Sequence, residues 1–246
     1  MYLNLLYEGE NCMKKKKYYL VSIIMMLIFV MESLVSVQGA ELLSQVDETY
    51  GITECFPYSA EEYYSDMVTI CEMTQGITLQ RGETFQQDEY SAFTVSGEGF
   101  NDVTVFFNEN EDMIEAQSKV SIGYSEETDD IFATQQTGNN FGVSISCMII
   151  TSVFRENGVT ELLKNGMLED AEKKYTELDE TITSISEFLS DAVGNISEDM
   201  FEGEDEKALT KEKTIDSYGK AVIRIEMNEE LQTLDVCCHW LPVTAN

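Results

Sequence analysis

An apolar stripe from Leu168 to Ile196 constrains this chain more than any other feature. Leu168, Ala171, Tyr175, Leu178, Ile182, Ile185, Leu189, Ala192 and Ile196 step by alternating threes and fours, which places them on one side of an α-helix. Four heptads at about 1.5 Å per residue amount to roughly 40 Å of helix. Phe188 and Val193 widen the stripe beyond a two-position seam, and the flanking positions show no systematic pairing of opposite charges. One long helix packed across a sheet is expected, rather than a coiled-coil dimer. Gly194-Asn195 is its stop.

The partner for that stripe is a set of strands. Ser59 with Glu62 forms a capping box opening a helix over residues 60–75. Its apolar residues Ala60, Tyr63, Tyr64, Met67, Val68 and Cys71 share a face, and Gly76 ends it. Strand patterns follow at about 89–96, 102–108 and 113–124. In the third, Ile114, Ala116, Val120, Ile122 and Tyr124 alternate as in a sheet with one buried face. Residues 108–112 (NENED) form a polar turn between the second and third. The run 139–155 fits a strand or a buried helix; its length and the stop at Asn157-Gly158 favour helix.

Three more strands are expected near 212–218, 220–227 and 231–240. In the last, Leu234, Val236, Cys238 and Trp240 face one way, and Asp235, Cys237 and His239 the other. The expected fold class is α+β: an antiparallel sheet with helices packed on one face. A helix followed by three strands occurs twice, which is consistent with two similar halves, 59–157 and 158–246. Few identities link them, and antiparallel hairpins share this grammar anyway.

Residues 40–58 read as an irregular lead-in, and what precedes them reads as an export signal. Lys14 to Lys17 are followed by fourteen uncharged residues, Tyr18 to Met31, then small and polar residues to Gly39 and Ala40. A basic start, a short apolar core and a small-residue exit make a secretory signal over 13–39, with cleavage expected after Gly39. The rival reading is a retained anchor, but Tyr18 to Val37 reaches the roughly 20 apolar residues of a span only by including Glu32. Residues 1–12 carry the acids Glu8 and Glu10, which suit a signal start poorly. Glu8-Gly9-Glu10 is encodable as a purine-rich ribosome-binding sequence, so 1–12 is read as untranslated leader of a bacterial gene. Translation then starts at Met13.

Charge excludes one class of partner. The chain carries 15 basic and 46 acidic residues. The first 39 residues hold four of the former and three of the latter, leaving 11 against 43, a net of −32. Nucleic-acid binding normally needs a basic patch, and anionic membrane surfaces are disfavoured for the same reason. A basic or neutral protein or small ligand is the expected partner. The plainer role of such a charge is solubility.

Catalytic patterns are scarce. Cys55, Cys71, Cys147, Cys237 and Cys238 match no zinc spacing, and a bridge between Cys55 and Cys71 is the one pairing worth naming. Buried free thiols are the expected state for most of the five. His239 is the single histidine, so histidine-rich metal sites are excluded by count. Cys237 shares its strand face, which permits a thiol–imidazole pair, although a structural strand end is the simpler reading. No GxSxG elbow occurs, and Ser96-Gly97-Glu98-Gly99 reads as a turn, not a phosphate loop. Asn195, Ser197, Asp199 and Glu206 have calcium-loop spacing, but Met200 stands where the sharp bend needs Gly. Leu241-Pro242-Val243-Thr244-Ala245 has the pattern of a cell-wall sorting signal, without the apolar segment and basic tail that sorting requires.

No catalytic, cofactor or metal residues are assigned. The expectation is an exported, acidic, monomeric binding domain, with no membrane contact after signal cleavage. The alternative is an extracytoplasmic hydrolase using paired carboxylates.

Overall fold

The computed structural model describes residues 54–243 other than 88–89, 126–129, 133–134, 195–207 and 229–230. The leader, the signal, most of the lead-in, Ile196, the calcium-like spacing and the acidic run Glu198 to Glu206 lie outside the described residues. Within them, five helices and an antiparallel sheet make a mixed α+β fold, with the helices packed against the sheet.

Helix α1, Ala60–Gln75, begins as its capping box dictates. Ser59 Oγ accepts from the Glu62 amide at 3.2 Å, and Glu62 Oε2 accepts from the Ser59 amide at 3.0 Å. Gly76 closes the helix in the left-handed region at φ +69°, which a side chain would resist. Strands β1 (Gln80–Arg81) and β2 (Phe85–Gln87) are too short for a periodic signal. Then come β3 (Tyr90–Gly97), β4 (Phe100–Phe107), β5 (Met113–Ser125) and the short β6 (Asp130–Phe132). The turn between β4 and β5 is built by Asn108, whose Oδ1 accepts from the amides of Asn110 and Asp112 at 2.9 and 3.0 Å.

Four helices follow: α2 (Gln135–Glu156), α3 (Val159–Lys164), α4 (Leu168–Glu177) and α5 (Asp179–Gly194). The ambiguous run 139–155 is therefore helix, and Gly158 at φ +71° separates it from α3. Strands β7 (Ala208–Ile215), β8 (Gly219–Asn228) and β9 (Thr233–Leu241) close the chain. Strand order is β1-β3-β4-β5-β9-β8-β7, with β2 also on β3 and β6 also on β5. Two three-strand meanders thus meet through their last members, β5 and β9.

Four expectations need correction. The stripe from Leu168 is carried by two helices, because the chain breaks at Leu178, whose amide bonds Tyr175 O three residues back. Helical bonding resumes with Ile182 N to Leu178 O, so the stripe stays in line across the break. Leu168 itself is 52% exposed; burial starts at Ala171. Ile114 does not share a face with Ala116. A register shift between Phe106 and Phe107 leaves Ile114 as the extra residue of a bulge, packed with Ala92 and Phe106 away from the main core. The seventh strand runs earlier than 212–218, because Asp216 at φ +45° starts the turn to β8. Helix α3 has no counterpart among the sequence expectations.

The core lies between the helices and the sheet. Tyr63, Met67, Ile145, Met148, Ile149, Ile185 and Trp240 are essentially inaccessible to solvent. Each such large side chain contributes roughly 1.5–3 kcal/mol by leaving water. Polar atoms inside are matched to one another. Ser152 on α2 receives the Trp240 Nε1–H at 2.7 Å and pairs with the Tyr58 hydroxyl at 2.5 Å, and Tyr63 Oη donates to Met148 O at 2.6 Å. These bonds hold α2 against β9 and against the segment entering α1.

Candidate functional site

A cavity of about 660 Å³ is bounded by the start of α1, the end of α2 and helix α3. Its floor is Asp66, a carboxylate only 2% exposed. A lone buried carboxylate is costly, so it must be paired. Arg155 Nη1 donates to Asp66 Oδ2 at 2.7 Å and Lys164 Nζ bonds the other oxygen, Oδ1. Arg155 Nη2 also reaches Glu62 Oε1 at 2.6 Å, and its guanidinium lies 5.1 Å from the Tyr58 ring centroid. Lys164 additionally donates to Ser65 Oγ at 3.0 Å.

Local sequence explains this convergence. Glu62 and Asp66 are four apart on α1 and so lie one turn apart on the same side. Arg155 is in the last turn of α2, where a cation suits the helix dipole. The left-handed Gly158 then folds α3 back so that Lys164 reaches the same carboxylate. Burial works against the Arg155 charge, but Asp66 and Glu62 outweigh it and raise its pKa. The Glu62 pKa is lowered by the Ser59 backbone bond and, less strongly, by Arg155.

Around this floor stand Glu61, Glu156 and Glu161, so the cavity holds five carboxylates against two cations. Desolvation raises the Glu156 carboxyl, although the side chain as a whole is exposed. One wall atom is unsatisfied: the hydroxyl of Thr160, a residue 2% exposed, has no hydrogen-bond partner. A buried hydroxyl left unpaired costs on the order of 1–3 kcal/mol, and a polar ligand would remove that cost.

A second polar cluster lies across β5 and β9, on the side away from the main core. Glu115 shares its strand face with Gln117, which is paired with His239, and Glu115 Oε1 is 2.6 Å from His239 Nδ1. Both residues are nearly inaccessible, at 1% and 5%. Gln117 is paired with His239 in register, but its Nε2 lies 3.4 Å from the same Nδ1 and its Oε1 has no partner. Burial alone would lower the histidine; hydrogen bonds with Cys237 and Glu115, and their charge, override it and push the pKa up to about 10. An imidazole that keeps its proton to that pH is not a base near neutrality. The cluster ties two central strands together.

The residues singled out from sequence therefore separate. Cys237 and His239 do share a face, as the strand pattern requires, and Cys238 points into the core. Cys55 is exposed, with its sulfur 3.2 Å from Asn108 Nδ2, whereas Cys71 is buried against Cys147. The candidate Cys55–Cys71 bridge is not formed, and all five described cysteines are free thiols; α1 turns Cys71 toward α2, away from the lead-in. The turn is Glu98-Gly99, between Gly97 at the end of β3 and Phe100 at the start of β4. Among the described residues no group of three or more His, Cys, Asp or Glu side chains converges on a metal-sized site. Also among them, no helix is long and apolar enough to cross a membrane. Sequence reading missed Asp66, Thr160 and Glu115. The signal for Asp66 was an acid set among the apolar Tyr63, Met67 and Ile70 of α1.

No protein-family model, curated protein or solved structure matches this chain.

Proposed function

We propose that this chain is an exported, acidic binding domain whose ligand site is the α1–α2–α3 cavity, and that the ligand presents a cationic group. The observation that carries the reading is the unpartnered Thr160 hydroxyl in a wall otherwise dominated by carboxylates. The cavity already accommodates a guanidinium and an ammonium from the chain itself, which is the recognition chemistry a basic ligand would reuse. Binding is favoured over carboxylate-pair hydrolysis because Asp66 has both oxygens occupied and Glu62 is held by its cap and by Arg155. Neither is a free acid or base.

The wider reading is a monomer delivered by the signal 13–39, with basic or neutral partners and no affinity for nucleic acid. Recovered extracytoplasmic protein should begin at Ala40 or Glu41 by N-terminal sequencing; full-length chain in the membrane fraction would replace this with an anchored form. We also read the helices as confined to one sheet face and the two meanders as halves of an ancient duplication. The mirrored order β3-β4-β5 and β9-β8-β7 supports the duplication.

The binding test is calorimetric titration with a polyamine and with an arginine-rich peptide. Affinity should fall as salt rises, since exposed charges are screened beyond a Debye length of about 8 Å at physiological ionic strength. Thr160→Val and Glu161→Gln should each weaken binding without altering the fold by circular dichroism. No heat with either probe, or equal affinity in both variants, would sink the cavity as the site.

A further inference from the structure

Cys71 on α1 and Cys147 on α2 face one another inside the core, 3.0 Å apart between sulfurs. Both are free thiols, with Cys71 donating to Cys147 Sγ, and a closure of about 1 Å would bring the sulfurs to the S–S bond length of about 2.05 Å. The two helices run antiparallel here. Glu62 and Asp66 meet Arg155 at one end and Cys71 meets Cys147 further along, while the long Tyr63 side chain reaches Met148 O between them. The sulfurs therefore approach within a pair of helices already held by other contacts. We infer that Cys71 and Cys147 are a disulfide site that staples α1 to α2 across the first meander.

The bond forms by exchange with a small-molecule or protein disulfide. One thiolate attacks the donor disulfide, and the second thiolate displaces the donor from the mixed intermediate. Two donor thiols leave carrying the two electrons and two protons. In the folded chain the Cys71 thiol is held well above its usual range by its bond to Cys147 and by burial, so it exchanges slowly. Closure therefore belongs to folding, before the helices pack, and the finished bond is shielded from reductants. The enclosed loop spans 76 residues, long enough that the cross-link removes much unfolded-chain entropy. Among the described residues no other cysteine has this geometry: Cys55 is exposed at the β4–β5 turn, Cys237 lies on the far side of the sheet, and Cys238 is 0% exposed on β9.

That the bond forms in the cell rests on the export reading above, whereas the geometry does not, and the experiment separates them. The full chain is reduced, unfolded and refolded in a mixture of oxidised and reduced glutathione, then alkylated under denaturing conditions and mapped by peptide mass spectrometry. The expected result is a Cys71–Cys147 linked peptide pair, with Cys55, Cys237 and Cys238 alkylated. Alkylation of both Cys71 and Cys147, or linkage of either to another cysteine, overturns the assignment. In a second arm, native-source protein is alkylated without reduction. A linked pair there supports export to an oxidising compartment; free thiols there, with the pair formed on refolding, would fault the export reading alone. The Cys71→Ala, Cys147→Ala double variant should lower the melting temperature of the oxidised protein by several degrees and leave that of the reduced protein nearly unchanged. Equal shifts in both redox states would mean that the sulfurs only fill space.

Discussion

On the helix side of the β5–β9 pair, Ala116, Val120 and Ile122 lie opposite Trp240, Val236 and Leu234; on the other side, Gln117, Lys119 and Ser121 lie opposite His239, Cys237 and Asp235. The same two strands thus carry two kinds of cohesion. The helix side is mostly apolar and its polar atoms are uncharged, so its stabilisation follows buried area with little dependence on pH or salt. The other side is held by the His239–Glu115 pair and by Lys119 with Asp235, whose contributions depend on protonation and screening. Burial alone does not distinguish them, since His239 and Glu115 are as inaccessible as the core. The difference lies in what each buried atom needs from its neighbour.

The contrast breaks most visibly at Trp240. Trp240→Ala should cost about 3–5 kcal/mol through the cavity it leaves, and more through the lost bond to Ser152. Urea denaturation should show this loss with little variation between pH 6 and 9. Gly219→Ala tests the same contact from β8, because a Cβ there would lie 2.3 Å from Trp240 Cζ2. That variant should be destabilised even though it only adds a methyl group.

The polar side should show itself through pH. His239 rises from 6.5 to about 10 on folding, so the folded state binds the proton more tightly than the unfolded one. The resulting stability is fully present below about pH 6.5 and is lost progressively as pH rises toward 10. Glu115→Gln should cost about 1.5–3 kcal/mol at neutral pH, the range for a hydrogen bond to a charged group. It should also reduce the pH dependence without abolishing it, because Cys237 contributes to the same shift. A wild-type profile that is already flat from pH 6.5 to 10 would refute the pairing.

The smallest effect belongs to the rim of that side. Lys119 Nζ and Asp235 Oδ2 are 3.2 Å apart, and about a quarter of each side chain is exposed. Ser121 Oγ also donates to Asp235 Oδ1 at 2.6 Å. Asp235→Asn should change stability by about 0–1 kcal/mol, less still in high salt. A loss as large as that of Glu115→Gln would erase the distinction between buried pair and rim.

Elements with a local cause were legible in advance. The capping box at Ser59, the stop at Gly76, the turn at Asn108 and the alternation of Leu234, Val236, Cys238 and Trp240 each depend on residues within a few positions. The break at Leu178 was not, because a single three-residue closure leaves the run Tyr175, Leu178, Ile182 on the same buried side. A stripe records which residues face the core, and it is blind to whether the helix under them is continuous. The bulge at Ile114 was hidden for the related reason that Ile114 and Ala116 alternate correctly whichever way the strand is paired.

By itself, then, the sequence determined the α+β class, the buried side of most elements and the large excess of acid, since period, caps and charge are properties of nearby residues or of composition. Tertiary structure alone decided which side chains meet: Asp66 with Arg155 and Lys164, Glu115 with His239, Cys71 with Cys147 in place of Cys55. These partners are 76 to 124 residues apart. No local pattern specifies such a pairing, because it follows from how helices and strands stack once each has buried its own apolar face.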